Sequence, residues 1–141
     1  MPRRVLADST AWIAYFVHDD QWNPEATRTF DEIQRSGRRL LTTGDVFDET
    51  VTMVRKRAGY DRALECGELL RNSALSELVA IDDPLREKAW RLFRKCKFPK
   101  LSLTDCTSFA VMEKFGIREA FTFDDDDFGA AGYTVLPGRM K

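Results

Sequence analysis

Short apolar runs alternate along this chain with longer segments whose apolar residues recur every three or four positions, the pattern of buried strands and the helices packed on them. Val5-Leu6-Ala7 reads as a first strand, passing through Asp8-Ser9-Thr10 into a helix or helical turn over Ala11–Val17. Asn23-Pro24-Glu25 reads as a helix start, with Asn23 as N-cap, Pro24 at the first helical position and an acid in the first turn; Gly37 closes that helix. Leu40–Thr43 predicts a second strand and Val46–Ala58 a helix whose Phe47, Val51, Val54 and Ala58 share one stripe, with Glu49 nearly opposite. A further helix over Tyr60–Asn72 leads to a weaker strand over Leu75–Ile81. Asp82-Asp83-Pro84 then opens a helix to about Cys96, with Ala89, Trp90 and Phe93 on its apolar side. Ser102, Thr104 and Asp105 supply N-cap chemistry for a mostly buried helix ending at Gly116, and Glu119–Phe123 reads as a strand. Gly129–Gly132 predicts a turn or short helix, Tyr133–Leu136 an edge strand and Pro137–Lys141 a tail. The expected fold is three-layer α/β, a mostly parallel sheet of four to five strands flanked by helices.

Composition narrows the picture without changing it. The 141 residues, 43% of them hydrophobic, suit a single domain over 1–141 with one proper core. A net charge of -1 gives no general basic field, so any nucleic-acid contact must use segregated cations. Arg55-Lys56-Arg57 and the spread Arg91, Arg94, Lys95, Lys97 and Lys100 are such groups, read either as phosphate contacts or as solvated helix faces. Cys66, Cys96 and Cys106 form no Cys-x-x-Cys pair and read as free core thiols of a reducing, cytoplasmic compartment. Asp8 interrupts the apolar run behind the basic Met1–Arg4, which argues against a signal peptide or a membrane span. No glycine-rich phosphate loop is present. Trp12, Trp90 and Phe109 fall in apolar helical patterns and read as core rather than base-stacking platforms, and His18 reads as a loop or surface residue.

The candidate chemistry is acidic. Asp8, Glu49, Asp105 and Asp124 each stand just after a strand or near a helix start, and Asp124 is followed by Asp125, Asp126 and Asp127. In an open parallel sheet, strand ends and the helix starts that follow them share one edge, so Asp105 and Asp124 can meet. Carboxylates gathered in one crevice repel unless they share a proton or hold a cation, and hard oxygen donors without histidine or thiolate suit Mg²⁺ or Mn²⁺. Taken singly, Asp8 and Asp105 also read as helix caps, Glu49 as an exposed helix residue, and Asp124–Asp127 as a solvated turn. Their joint occurrence favours a metal site.

Four stretches carry a resemblance. Val5–Ala14 (Val-Leu-Ala-Asp-Ser-Thr-Ala-Trp-Ile-Ala), Asp45–Thr52 (Asp-Val-Phe-Asp-Glu-Thr-Val-Thr), Leu101–Ala110 (Leu-Ser-Leu-Thr-Asp-Cys-Thr-Ser-Phe-Ala) and Phe121–Asp124 (Phe-Thr-Phe-Asp) resemble PIN-domain ribonucleases. Among these the chain is most similar to VapC toxins of type II toxin–antitoxin pairs, in order and with matching intervals from Val5 to Pro137. The resemblance implies a parallel sheet, Mg²⁺-dependent endonucleolysis of RNA, frequent homodimerisation and inhibition by a cognate antitoxin. By position, Asp8 and Asp105 match the most dependable metal ligands, Glu49 the acid on the intervening helix and Asp124 the strand-end acid. Thr10 and Thr104 match small polar supports beside them. The acidic run is one residue longer than the usual spacing to Phe128, which leaves open whether Asp126 or Asp127 assists Asp124. Two rivals stand beside this reading. A phosphatase with Asp8 as nucleophile would need a second Asp where Thr10 stands, and a non-catalytic PIN-like RNA- or protein-binding module would have no need of all four acids.

Overall fold

The structure is a computed structural model that describes residues 3–72 and 74–138. Among the described residues five strands form one sheet: β1 (Arg4–Ala7), β2 (Arg39–Thr43), β3 (Ser76–Val79), β4 (Glu119–Phe121) and β5 (Thr134–Leu136), in the order β3-β2-β1-β4-β5. Every pairing is parallel, with Val5 opposite both Leu40 and Glu119. Seven helices cover it: α1 (Ser9–Phe16), α2 (Asn23–Arg35), α3 (Gly44–Ala58), α4 (Tyr60–Arg71), α5 (Asp83–Lys95), α6 (Leu103–Phe115) and α7 (Asp125–Ala130). Because side chains alternate along a strand, each sheet face has its own core. Val5, Ala7, Leu40 and Phe121 pack with Trp12, Phe30, Ile33 and Val54 on one face. Leu6, Leu41 and Ala120 pack with Leu85, Phe109, Met112 and Phe128 on the other. This is the expected three-layer architecture, with the fifth strand present at the edge.

The strand order places the crevice. The chain leaves central β1 toward β2 and β3, then returns to the opposite side of β1 for β4 and β5, so the direction switches between β1 and β4. Ligands of open parallel sheets bind at such a switch, beyond the carboxyl ends of the strands.

Several local expectations are corrected. Asn23 is not the N-cap of α2: Trp22 holds that place without a side-chain cap, and the Asn23 amide Nδ2 instead donates to the carbonyls of Ala14 and Tyr15 at the end of α1. Those carbonyls have lost their helical partners, so they compete successfully for the amide. The inward stripe of α3 is Val46, Thr50 and Val54, flanked by half-buried Phe47 and Val51, whereas Ala58 at the helix end is exposed. Trp12 and Phe109 are core, at 0% and 3% exposure, but Trp90 is 46% exposed and Phe93 38%. Helix α5 buries only Leu85 and Ala89 fully, and its two aromatic rings stack on each other instead of entering the core. The turn expected at Gly129–Gly132 begins earlier, since α7 takes Asp125–Asp127 as its first turn. Of the Pro137–Lys141 tail, residues 139–141 lie outside the described residues. All three cysteines are free; burial pushes the Cys66 thiol up to about 12 and the Cys106 thiol to about 11, while Cys96 is only half-buried. No helix among the described residues is long and apolar enough to cross a membrane.

Candidate active site

Asp8 ends β1 and caps α1. Its Oδ1 accepts from the Ala11 amide at 3.0 Å and the Thr10 hydroxyl at 2.7 Å, and its Oδ2 accepts from the Thr122 hydroxyl at 2.6 Å. The cap expected of Asp8 is present, on the carboxylate that is also the candidate ligand. With 3% exposure the group is costly to ionise, and burial pushes its pKa from the ordinary 3.8 up to about 7; the three hydrogen bonds oppose this and the nearby Asp105 adds to it.

Asp105 occupies the third position of α6 and closes a capping box. The Asp105 amide donates to Ser102 Oγ at 2.9 Å, and the Ser102 amide donates to Asp105 Oδ2 at 3.2 Å. This fixes the carboxylate at the helix start. Burial first, then the charges of Asp124 and Asp127, raise its pKa to about 6 against the donation from Ser102. Asp124 stands at the N-cap position of α7, and burial together with Asp127 raises its pKa as well.

Three of these acids converge. Asp105, Asp124 and Asp127 each bring a carboxylate oxygen within 4.8 Å of the other two. Asp127 is buried at 8% exposure and its Oδ2 has no hydrogen-bond partner. Asp126, one residue earlier on α7, is exposed and outside the cluster. A helix turns 100° per residue, so of two adjacent acids only one can face the crevice. The donor set is all oxygen, and an unpartnered buried carboxylate oxygen is expensive unless a cation meets it. These residues fit a hard divalent ion.

Asp8 and Glu49 lie outside this group of three. Glu49 is exposed on α3, and the Ser9 hydroxyl at the start of α1 donates to its Oε1, which leaves Oε2 for water or a cation. Thr104 is half-buried beside Asp105; its carbonyl accepts from Thr107. Thr10 is doubly used, donating to Asp8 while its oxygen accepts from the Phe123 amide at 2.9 Å.

Ser9 and Thr122, to which residue type and spacing assign no role, complete the frame. The Thr122 hydroxyl donates to Asp8 and accepts from the Asp124 amide at 2.9 Å, so one buried oxygen ties the end of β1 to the exit of β4. The only sequence signal for it is its place two residues before Asp124, between Phe121 and Phe123. Ser9 sits beside Asp8, but its link to Glu49 spans 40 positions.

Residues 5–132 match the PIN domain family. The chain is 36% identical over 97 residues to the 23S rRNA-specific endonuclease VapC20 of Mycobacterium tuberculosis, covering 69% of this chain and 72% of that protein. It superposes on the crystal structure of M. tuberculosis VapC20, described as a sarcin–ricin loop cleaving toxin, with a TM-score of 0.81 at 30% identity over 92% of this chain and 96% of that one. A toxin–antitoxin complex from Klebsiella pneumoniae shares the fold, with a TM-score of 0.68 at 17% identity over 96% and 99% of the two chains. From the matched family, the identity to VapC20 and the shared fold, the chain belongs to the PIN-domain family, as a protein of the VapC type.

Proposed function

We propose that this protein is a cytoplasmic, Mg²⁺-dependent endoribonuclease, with Mn²⁺ able to substitute, and the toxin of a type II toxin–antitoxin pair. The observation that carries the reading is the convergence of Asp105, Asp124 and Asp127 around a buried carboxylate oxygen without a partner, with the charge of Asp105 adding to the burial that raises the pKa of Asp8. When bound, a divalent ion supplies Lewis-acid neutralisation of charge on the phosphodiester and lowers the pKa of water at the site. The chain's own residues do the rest. Asp8, Asp105, Asp124 and Asp127 hold the ion, and Glu49 Oε2 orients the attacking water and accepts its proton. Thr10, Thr122 and the Ser102 capping box keep the carboxylates from swinging apart under their mutual repulsion. No covalent enzyme intermediate is required.

VapC20 is named for action on 23S rRNA, so the sarcin–ricin loop is the first RNA to offer. The purified protein is expected to cut that RNA into discrete fragments in Mg²⁺ or Mn²⁺ and to lose all cleavage in EDTA, with identically purified Asp8→Asn protein inactive throughout. No cleavage of any structured RNA, together with no metal-dependent rise in melting temperature, would overturn the reading. A cognate antitoxin belongs to the same proposal, because an acidic crevice of this kind suits inhibition by a basic side chain of a bound partner, and a homodimer belongs to it as what the VapC resemblance implies.

Thr122 offers a finer check. Thr122→Val keeps shape but removes both hydrogen bonds of the hydroxyl, and is expected to raise the Mn²⁺ concentration at half-maximal thermal stabilisation about tenfold, the size typical of lost support behind a metal ligand. Thr122→Ser should restore it. An unchanged midpoint in the valine variant would show that the hydroxyl does not position the acids.

A further inference from the structure

The C-terminal half of α5 and the loop after it hold a second feature that the acidic crevice does not use. Between Glu87 and Asp105 the chain carries six cations, Lys88, Arg91, Arg94, Lys95, Lys97 and Lys100, and no acid. In a chain of net charge -1 this is the segregated charge that a nucleic-acid surface requires. Among the described residues only Lys88 of these is in an ion pair, with Glu113 of α6; the other five face solvent without a carboxylate. On the same helix Trp90 and Phe93 stack on each other, 5.7 Å between centroids and 18° between planes, and both are exposed.

The direction of this pair follows from helix geometry. Arg86, Trp90 and Phe93 are spaced four and three residues apart and so fall within about 60° of arc on α5. Arg86 makes a bidentate pair with Asp45, at 3.0 and 3.2 Å, in the first turn of α3. Glu49 lies one turn further along α3. Arg86, on the side of α5 that carries the rings, thereby ties the first turn of α5 to the first turn of α3, next to the end of β2. Lys100 precedes the Ser102 cap by two residues, so the last cation of the tract is close in sequence to the helix start that carries Asp105.

We propose that the Trp90–Phe93 pair is a stacking platform for an unpaired RNA base, and that Arg94, Lys97 and Lys100 hold the phosphates on either side, so that the strand is led into the acidic crevice. The inference rests on the ribonuclease reading and adds to it how single-stranded RNA is gripped. Flat aromatic faces beside free cations are the two ingredients of single-strand recognition: stacking accepts any base, and cations track the backbone. A second copy of this chain is the poorer occupant. A two-fold interface would set the same cations against themselves, with no acid within the tract to pair them.

The test uses the Asp8→Asn protein, which keeps RNA intact, with a fluorescein-labelled RNA hairpin bearing an unpaired loop and a fully paired duplex of the same length. Trp90→Ala in that background is expected to weaken hairpin binding about tenfold and duplex binding less than twofold, with unchanged melting temperature because the side chain is half exposed, and Trp90→Tyr should restore affinity. Lys97→Ala with Lys100→Ala should weaken both RNAs and flatten the dependence of log affinity on log salt by about 1.4, two single-strand phosphate contacts. In the cleaving protein, Trp90→Ala should raise KM about tenfold at constant kcat. Equal hairpin affinity with and without Trp90 would overturn the platform while leaving the ribonuclease reading intact. So would a Trp90→Ala protein that changes its sedimentation from dimer to monomer with RNA affinity retained, which would assign the face to a protein partner. Failure of the parent protein to bind or cut any RNA would overturn both readings.

Discussion

Asp105→Asn is expected to lower RNA cleavage at least about 10³-fold, several kcal/mol of transition-state stabilisation, and at the same time to raise the melting temperature of the metal-free protein. The two effects have one cause. Asp105 sits with Asp124 and Asp127 within 4.8 Å, and burial and their charges push its pKa to about 6, so at neutral pH the folded state holds a charge it disfavours. Asparagine keeps the shape, and its side-chain oxygen can still accept from the Ser102 amide, so the capping box survives. It removes the repulsion and, with it, an anionic ligand. Cleavage kinetics and thermal denaturation in EDTA at pH 8 check the two halves separately. Retained cleavage would remove Asp105 from the machinery, whereas lost cleavage with a lowered melting temperature would assign it to the fold rather than to the chemistry.

The second large effect is on pH. Asp8 near 7, Asp105 near 6 and a raised Asp124 all titrate above the 3.8 of an unfolded chain. Below about pH 4 both states are protonated and these groups contribute nothing. Between about 4 and 7 the unfolded state has released protons that the folded state retains, so folded stability falls as pH rises. Each tenfold loss of acidity that a carboxyl suffers on folding costs about 1.4 kcal/mol once the group is fully ionised. In EDTA the melting temperature should therefore drop by several degrees from pH 5 to pH 8. Glu119 acts in the opposite sense, because Arg3 and Arg38 hold it low, but its stabilisation is lost only below its ordinary 4.5, outside this window. A divalent ion takes the ionised carboxylates and reverses the penalty, so the Mg²⁺-induced rise should be small at pH 5 and grow toward pH 8. Differential scanning fluorimetry across pH, with and without millimolar Mg²⁺, measures both slopes. A metal shift that is absent at pH 8, or largest at pH 5, would show that these acids do not bind the ion.

These two expectations draw on information of different origin. Residue types and their periodicity alone determined that the chain alternates strand and helix, that the sheet is largely parallel, and that acids cluster where strands end and helices begin. Local physics is enough for that: Gly116 with φ of 67° ends α6 as its lack of a side chain predicts, and the spacing from Ser102 to Asp105 is a capping box before it is anything else. The cluster of Asp105 and Asp124 was legible because the shared edge of a parallel sheet follows from connectivity rather than from packing.

What only the tertiary structure decided is every choice between neighbours. The choice of Asp127 over Asp126 depends on the phase of α7, which starts at Asp125, and a phase is fixed by how Phe128 docks against Phe109, 4.9 Å between ring centroids. Trp90 has the periodicity of a core residue and is nevertheless exposed, since a hydrophobic stripe records what a helix can bury and only its neighbours determine what it does bury. Asn23 was a fit cap in isolation but serves the end of another helix nine residues back. The Thr122 bridge joins positions 114 residues apart through one hydrogen bond. Such contacts depend on the strand order β3-β2-β1-β4-β5, which brings the end of β1 beside the exit of β4, and no local pattern in the chain encodes that adjacency.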